Sequence, residues 1–306
     1  MASINRRNVL QRLIRQRSPS LVRYIGSMWS SQAEAITYNE IAEALSTGEL
    51  SPATYQQWQE DYTVLVNDVI ADAWNDSFLV GFNGVAPAVA SMGGIEFVNV
   101  QRRLATWASA RAGSLIVQLN NTQMQAVRNV LQYFISVDPI NPRAAAQYIA
   151  PIVGLTEREA AAVLNFRAAL QEAGYKGQAL LKRTELYAGR LRRVRSERIA
   201  RTELAFAHNA AQLESVKESR DLGYYEGETL VKRFLTAQDE RVCPRCGPLG
   251  GWRQEEGGAF TRSNQAVVGL DDNFPADVTK PDSTEYVATP PLHPNCRCTI
   301  LYETRA

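Results

Sequence analysis

The sequence predicts a mainly α protein with a small C-terminal α+β module clipped by cysteine and histidine. Three observations carry this. Apolar residues recur at steps of three and four, between legible helix caps, through most of the first 225 positions. Beyond "GYYEG" the texture changes to two short β-type runs flanking a Gly-, Pro- and Asp-rich stretch. All four cysteines of the 306-residue chain then fall between positions 243 and 298.

The helices are punctuated in order. Thr37-x-x-Glu40 has the pattern of a capping box ahead of Ile41 and Leu45, with Gly48 as the stop. Ser51-Pro52 then offers an N-cap with proline in the first turn. From there Tyr55, Trp58, Tyr62, Leu65 and Val69 share one helical stripe, which reads as core or as a face for a partner helix and not as a cofactor site. A Gly-rich break over 81–94 precedes helical stretches around 96–112 and 122–136, the second opening at Asn121-Thr122. "DPINP" at 138–142 cannot continue a helix, because proline lacks the amide proton and restricts the residue before it. A turn at Gly154 then leads to a second capping box, Thr156-x-x-Glu159, and a long helix follows over about 179–221.

These signals divide the chain into a basic N-terminal arm (1–33), a helical region suited to docking on a partner (34–140), a helical core (141–225) and the terminal module (226–306). A net charge of +1 hides segregation. Residues 1–33 hold six arginines, among them Arg6, Arg7, Arg12 and Arg15, and no acid, whereas 34–140 hold four bases and eleven acids. Segregated bases point to polyanion contact at particular places. A second basic feature lies on the long helix, where Arg192, Arg195, Arg198 and Arg201 are each three residues apart. That spacing makes a slanting ridge about 13 Å long. Arg195 and Arg198 share the azimuth of the apolar stripe through Ile199, Phe206, Ala210, Leu213 and Val216, so they are expected to face a partner, DNA or protein. An ordinary charged face, with Glu197 and Glu203 as ion partners, is the competing expectation.

In the terminal module, "TLVKRFLTA" and "CTILY" read as strands. A unit this poor in apolar residues needs a staple. Cys243-Pro244-Arg245-Cys246 has the gap of a zinc knuckle, and 46 residues separate it from His293, which Cys296 and Cys298 follow. Five candidates compete for the four places of a tetrahedral structural Zn2+. We expect Cys243, Cys246 and His293 plus one of the last two, since alternate residues of an extended strand face opposite ways. Disulfides formed after release from the cell, or free thiols, are the alternatives.

Several activities lack their residues. The chain has neither a phosphate-binding G-x-x-x-x-G-K-[ST] loop nor a dinucleotide fingerprint. A zinc deaminase needs His-x-Glu with Pro-Cys-x-x-Cys, but the only two histidines stand in His208-Asn209-Ala210 and His293-Pro294-Asn295. A cysteine nucleophile beside His293 stays formally open, with no third orienting group to name. No apolar run approaches the length that spans a bilayer, and the N-terminus has no apolar secretory core, so no membrane partner is expected and the chain is expected to start in a host cytoplasm.

The run "GLTEREAAAVLNFRAAL", then "RIARTELAFAHNAA", then "TAQDERVCPRCGPLGG" and finally "PPLHPNCRC", in that order, resembles the phage Mu F-like minor head protein, or phage head morphogenesis, family over roughly residues 140–302. Arg201, Thr202 and Glu203 occupy the family's "RTE", and Cys243, Cys246, His293, Cys296 and Cys298 its Cys/His positions. The resemblance implies a non-enzymatic minor virion protein inside the head. Its partners would be the portal at one vertex, the major capsid protein or scaffold, and packaged double-stranded DNA contacted without sequence preference, during head assembly and DNA packaging or ejection. A metal-dependent DNA-processing enzyme and a cytoplasmic zinc-bearing DNA-binding adaptor are the competing functions.

Overall fold

A computed structural model of the chain describes residues 2–85, 97–136, 140–236, 242–250, 252–254, 260–262, 266–277 and 285–305. These residues are mainly helical, with a small antiparallel sheet region near the C-terminus. In order they form α1 (Ala2–Ala35), α2 (Tyr38–Thr47), α3 (Pro52–Val64), a π-helical turn (Leu65–Ile70) running into α4 (Ala71–Val85), α5 (Phe97–Ser136), α6 (Pro142–Ile149), a 3-10 turn (Ala150–Ile152), α7 (Glu157–Glu172) and α8 (Gly177–Asp221).

The caps follow the local chemistry. Gly48 ends α2 at φ 84 with its N–H on the Ala44 carbonyl, and Thr37 and Ser51 cap α2 and α3 through their hydroxyls. The capping box at Thr156 and Glu159 is complete. The one at Thr37 is half formed. The Glu40 carboxylate turns away to accept from the Ser51 amide (3.3 Å), the Ser51 hydroxyl (3.2 Å) and the Thr54 hydroxyl, bracing the first turn of α2 against the start of α3.

Two expectations about the helices are corrected. Residues 96–112 and 122–136 are not separate helices, since α5 runs unbroken through Asn121 and Thr122. The Thr122 hydroxyl donates back to the Gln118 carbonyl (2.6 Å) instead of capping a new start, and Leu115, Leu119, Ala126, Val127, Val130 and Leu131 form one buried seam across the junction. The stripe from Tyr55 to Leu65 is buried, but Val69 is only half-buried. The π turn advances the register, so Val66 and Ile70 are buried in its place. Of the Gly-rich break, residues 81–85 extend α4 and 86–94 lie outside the described residues.

The basic N-terminal segment, expected as an arm, is helical from Ala2 onward. Leu10, Leu13, Ile14, Leu21, Ile25 and Trp29 of α1 are buried, so α1 is an amphipathic element of the fold.

The chain divides into two compact units that interleave in sequence. One comprises Pro19–Ile70 and Ala110–Glu197, the other Met1–Ser18, Ala71–Ser109 and Arg198–Ala306. The first is helical, with a core that includes Trp58, Val127, Leu131, Phe134, Ile149, Ile152 and Val163. Through its centre runs a buried polar chain. Trp29 Nε1 donates to Tyr62 Oη (2.9 Å), Tyr62 Oη donates to Gln123 Oε1 (2.7 Å), and Gln123 Nε2 donates to Gln32 Oε1 (2.9 Å). The Gly154 amide shares the same Gln123 oxygen (3.0 Å). Burial pushes the Tyr62 phenol up to about 12, so it stays a donor.

The second unit joins α4 and the C-terminal half of α8 to the sheet. Gly81 of α4 allows close approach, because a Cβ there would stand 3.0 Å from Ala211 Cβ and nearer still to the His208 carbonyl oxygen. The strands are β1 (Thr229–Leu235), β2 (Trp252–Gln254), β3 (Phe260–Arg262), β4 (Val267–Gly269), β5 (Phe274–Pro275), β6 (Tyr286–Val287) and β7 (Thr299–Arg305). The two sequence-read strands, β1 and β7, pair antiparallel with Leu235 opposite Thr299, and β4 flanks β1 to give the order β4-β1-β7. Central β1 is buried on both faces at Leu230, Val231, Lys232, Phe234 and Leu235.

Candidate metal centre

The sequence-read staple closes at the C-terminal end of β1. Cys243-Pro244-Arg245-Cys246 is a tight turn, with the Cys246 and Gly247 amides both donating to the Cys243 carbonyl (3.1 and 2.9 Å). Inside it Arg245 reaches out to the buried Asp277 carboxylate (3.1 Å). The second half comes from the stretch before β7. There the Cys296 amide donates to the His293 carbonyl (3.2 Å), and Asn295 sits at φ 62. Proline then asparagine at positive φ across an i to i+3 bond is the chemistry of a type II turn, which swings His293 and Cys296 to one side.

Five side chains meet there. His293 Nε2 lies 2.9 Å from Cys243 Sγ and 3.3 Å from Cys246 Sγ, and Cys246 Sγ lies 3.8 Å from Cys296 Sγ. Cys243, Cys246 and His293 form one mutually close triad and Cys246, Cys296 and Cys298 another, sharing Cys246. All four cysteines are free thiols, and Cys246, Cys296 and Cys298 are buried. They belong to an apolar cluster with Phe234, Leu249, Phe274 and Ile300, whereas Cys243 and His293 are half-buried.

The donor set fits a tetrahedral thiophilic ion. Zn–S bonds of about 2.3 Å at tetrahedral angles give S···S edges of about 3.8 Å, which the Cys246–Cys296 separation matches. His293 Nδ1 is 2.9 Å from the Pro294 carbonyl, which can only accept. The proton therefore sits on Nδ1 and leaves the Nε2 lone pair toward the sulfurs, the tautomer a ligand needs. Hydrogen bonding to Cys296, more than burial, raises Cys246, while bonds from Cys246 and Cys298 hold the Cys296 thiol well below the usual thiol range. The hydrogen bond with Cys296 in turn raises the His293 imidazole to about 9, against the opposing effect of burial.

α8 supports the cluster from one side. Thr202 Oγ1 accepts from the Asn295 amide (3.1 Å) while donating to the Arg198 carbonyl (2.7 Å). Two turns on, Asn209 Nδ2 reaches the Cys298 carbonyl (3.4 Å) and Asn209 Oδ1 accepts from the Thr299 hydroxyl (2.8 Å). The sequence reading marked Thr202 only as a motif position and missed Asn209, Asn295 and the Arg245–Asp277 pair. The one available signal was Pro294-Asn295 itself, a turn dipeptide set between two soft ligands.

The arginines are not gathered into one surface. Arg195 is 4% exposed, and its guanidinium donates to the Gly154 carbonyl (2.6 Å) and lies over the Trp29 ring (5.2 Å). Its expected partner is therefore found within the chain, a correction that removes it from any open ridge. Arg192 is half-buried and bonds to the Pro151 carbonyl (3.4 Å) and Glu185, Arg198 is half-buried, and Arg201 is exposed. On α1, Arg12 and Arg15 are exposed, and Arg6 and Arg7 belong to the helix with side chains outside the described part. Of the "RTE" positions, Thr202 and Glu203 are buried.

Residues 164–301 match the family model described as phage Mu protein F like protein. Over these residues the chain is similar to that family. No curated protein and no solved structure matches the chain. The matched residues run from α7 through α8 to β7, so they contain the whole Cys/His cluster and the helix that braces it. The match suggests a phage head morphogenesis protein. Among the described residues, no helix is long and apolar enough to cross a membrane.

Proposed function

We propose that the chain is a minor head protein of a tailed phage, seated at the portal vertex inside the head. It serves head assembly and DNA packaging or ejection by binding, not by catalysis. The observation that carries this is the phage Mu F-like match over residues 164–301. Its partners are the portal protein, the major capsid protein or scaffold, and the backbone of packaged double-stranded DNA. Exposed Arg12 and Arg15 on an acid-free stretch suit phosphate contact without base readout.

The Cys/His cluster is assigned a structural Zn2+, held by Cys243, Cys246 and His293 with Cys296 as the fourth ligand. Cys296 is favoured because its Sγ lies 3.8 Å from Cys246 Sγ and its amide shares a turn with His293. Bound there, the ion would supply cross-linking of a loop of about fifty residues, whose closure the small core could not secure alone. Burial of three of the thiols in an apolar cluster suits a closed structural site.

Two measurements test this together. The protein should purify with intact particles, localise to one capsid vertex, and leave plasmid and single-stranded DNA uncut in the presence of Mg2+, Mn2+ or Zn2+. Absence from particles, or metal-dependent cleavage by the full chain, would overturn it.

A further inference from the structure

The hydroxyl of Thr202 has one donor and both of its geometric neighbours are backbone. It gives its proton to the Arg198 carbonyl and accepts from the Asn295 amide, so its bonding capacity toward the ligand turn is committed. Thr202 is 8% exposed, so water cannot substitute freely. Asn295 stands between His293 and Cys296 at a left-handed φ of 62, a backbone state that needs external support to persist at a non-glycine residue. Seven residues along α8, about 20° short of two full turns and about 10 Å away, Asn209 grips the other end of the same stretch through the Cys298 carbonyl and the Thr299 hydroxyl.

We infer that Thr202 is a positioning residue of the Cys/His site, with Asn209 as its second clamp. One face of α8 fixes the turn that carries His293 and Cys296, so that two ligands arrive preorganised against the Cys243–Cys246 knuckle. The consequence for metal affinity rests on the structural-zinc assignment above. The consequence for the turn does not. Partners that orient metal ligands without touching the ion commonly change affinity by roughly ten- to a hundredfold when removed.

The test uses the full-length reduced protein titrated with Co2+ alone, read by its thiolate charge-transfer and d–d absorption, with helicity checked by circular dichroism. Thr202→Val keeps the shape and removes the hydroxyl. It should bind Co2+ roughly ten- to a hundredfold more weakly, with an altered d–d band. Thr202→Ser, which restores the hydroxyl, should return both to the wild-type values. Asn295→Gly keeps the donating amide and suits positive φ, so it should bind as wild type does. Wild-type affinity and spectrum in Thr202→Val would overturn the inference. If the unmodified protein takes up no Co2+, the zinc assignment fails, and Thr202 is then judged by alkylation of Cys296. Faster modification in Thr202→Val than in Thr202→Ser would sustain the positioning role, and equal rates would overturn it.

Discussion

Gly154 and Trp29 touch at a point where no side chain can be added. Gly154 lies at φ 81, and a Cβ on it would stand 2.9 Å from Trp29 Cβ and closer to two ring carbons. The same residue gives its amide to Gln123 and its carbonyl to Arg195, whose guanidinium covers the Trp29 ring. Gly154→Ala therefore combines left-handed strain of about 1 kcal/mol with overpacking of about 1–3 kcal/mol. Urea unfolding should show a loss of about 2–4 kcal/mol, and a loss below about 0.5 kcal/mol would mean the contact yields more easily than a packed core allows.

Gln123 is the neighbouring test. Its Oε1 accepts from both Tyr62 and Gly154 and its Nε2 donates to Gln32, all buried. Gln123→Leu leaves the Tyr62 hydroxyl and the Gly154 amide without that acceptor, at a cost of about 1–3 kcal/mol for orphaned buried groups. Because Gly154 belongs to both sites, the double variant with Gly154→Ala should lose less than the sum of the two, measured as a double-mutant cycle.

How legible this was in the sequence depends on the range of the interaction. The caps at Gly48 and Thr156 and the strands around Leu235 and Thr299 follow from local chemistry, and the sequence announced them. The gathering of Cys243, Cys246, His293, Cys296 and Cys298 was legible because soft ligands at such spacing have few other uses. Thr122 was misread as a start because a hydroxyl that can cap can equally bond back to Gln118, and only the continuous seam decides. Arg195 was misplaced because its acceptor, the Gly154 carbonyl, lies 41 positions away in sequence. Glu40 likewise left its own cap for Ser51 and Thr54.

Removing the metal, or a ligand, should act on one part of the chain. Cys246 belongs to both triads, so Cys246→Ser breaks the cluster more completely than Cys298→Ser, which touches one. Chelation of the reduced protein, or Cys246→Ser, should abolish retention of one equivalent of Zn2+ and open residues 227–306 to limited proteolysis. The core to which α2, α3, α5, α6 and α7 contribute shares no residue with that cluster and should keep its protection. Identical proteolysis with and without chelator would count against a metal-dependent clasp.

Lys232 supplies a pH signature that is separate from the thiols. It lies on central β1, 1% exposed, with its ammonium donating to the Ala288 carbonyl (2.8 Å) and 5.5 Å from the Phe274 ring centre. Burial, reinforced by Lys217, pushes it down to about 8 from 10.5. Below pH 8 both folded and unfolded chains are protonated, so the folded state carries the full burial cost. Between about 8 and 10.5 the unfolded chain binds more protons, and stability rises with pH. The whole rise is at most about 3 kcal/mol. Lys232→Met removes the charge at the expense of an unpaired Ala288 carbonyl, about 1 kcal/mol. At pH 7 the variant should therefore be more stable by about 1–2 kcal/mol. That advantage should vanish by pH 10 because only the wild type gains, as hydrogen exchange of β1 and β7 amides at the two pH values would show. A difference that does not change with pH would mean that the amine keeps its ordinary affinity for protons, through water or an anion reaching it inside the sheet.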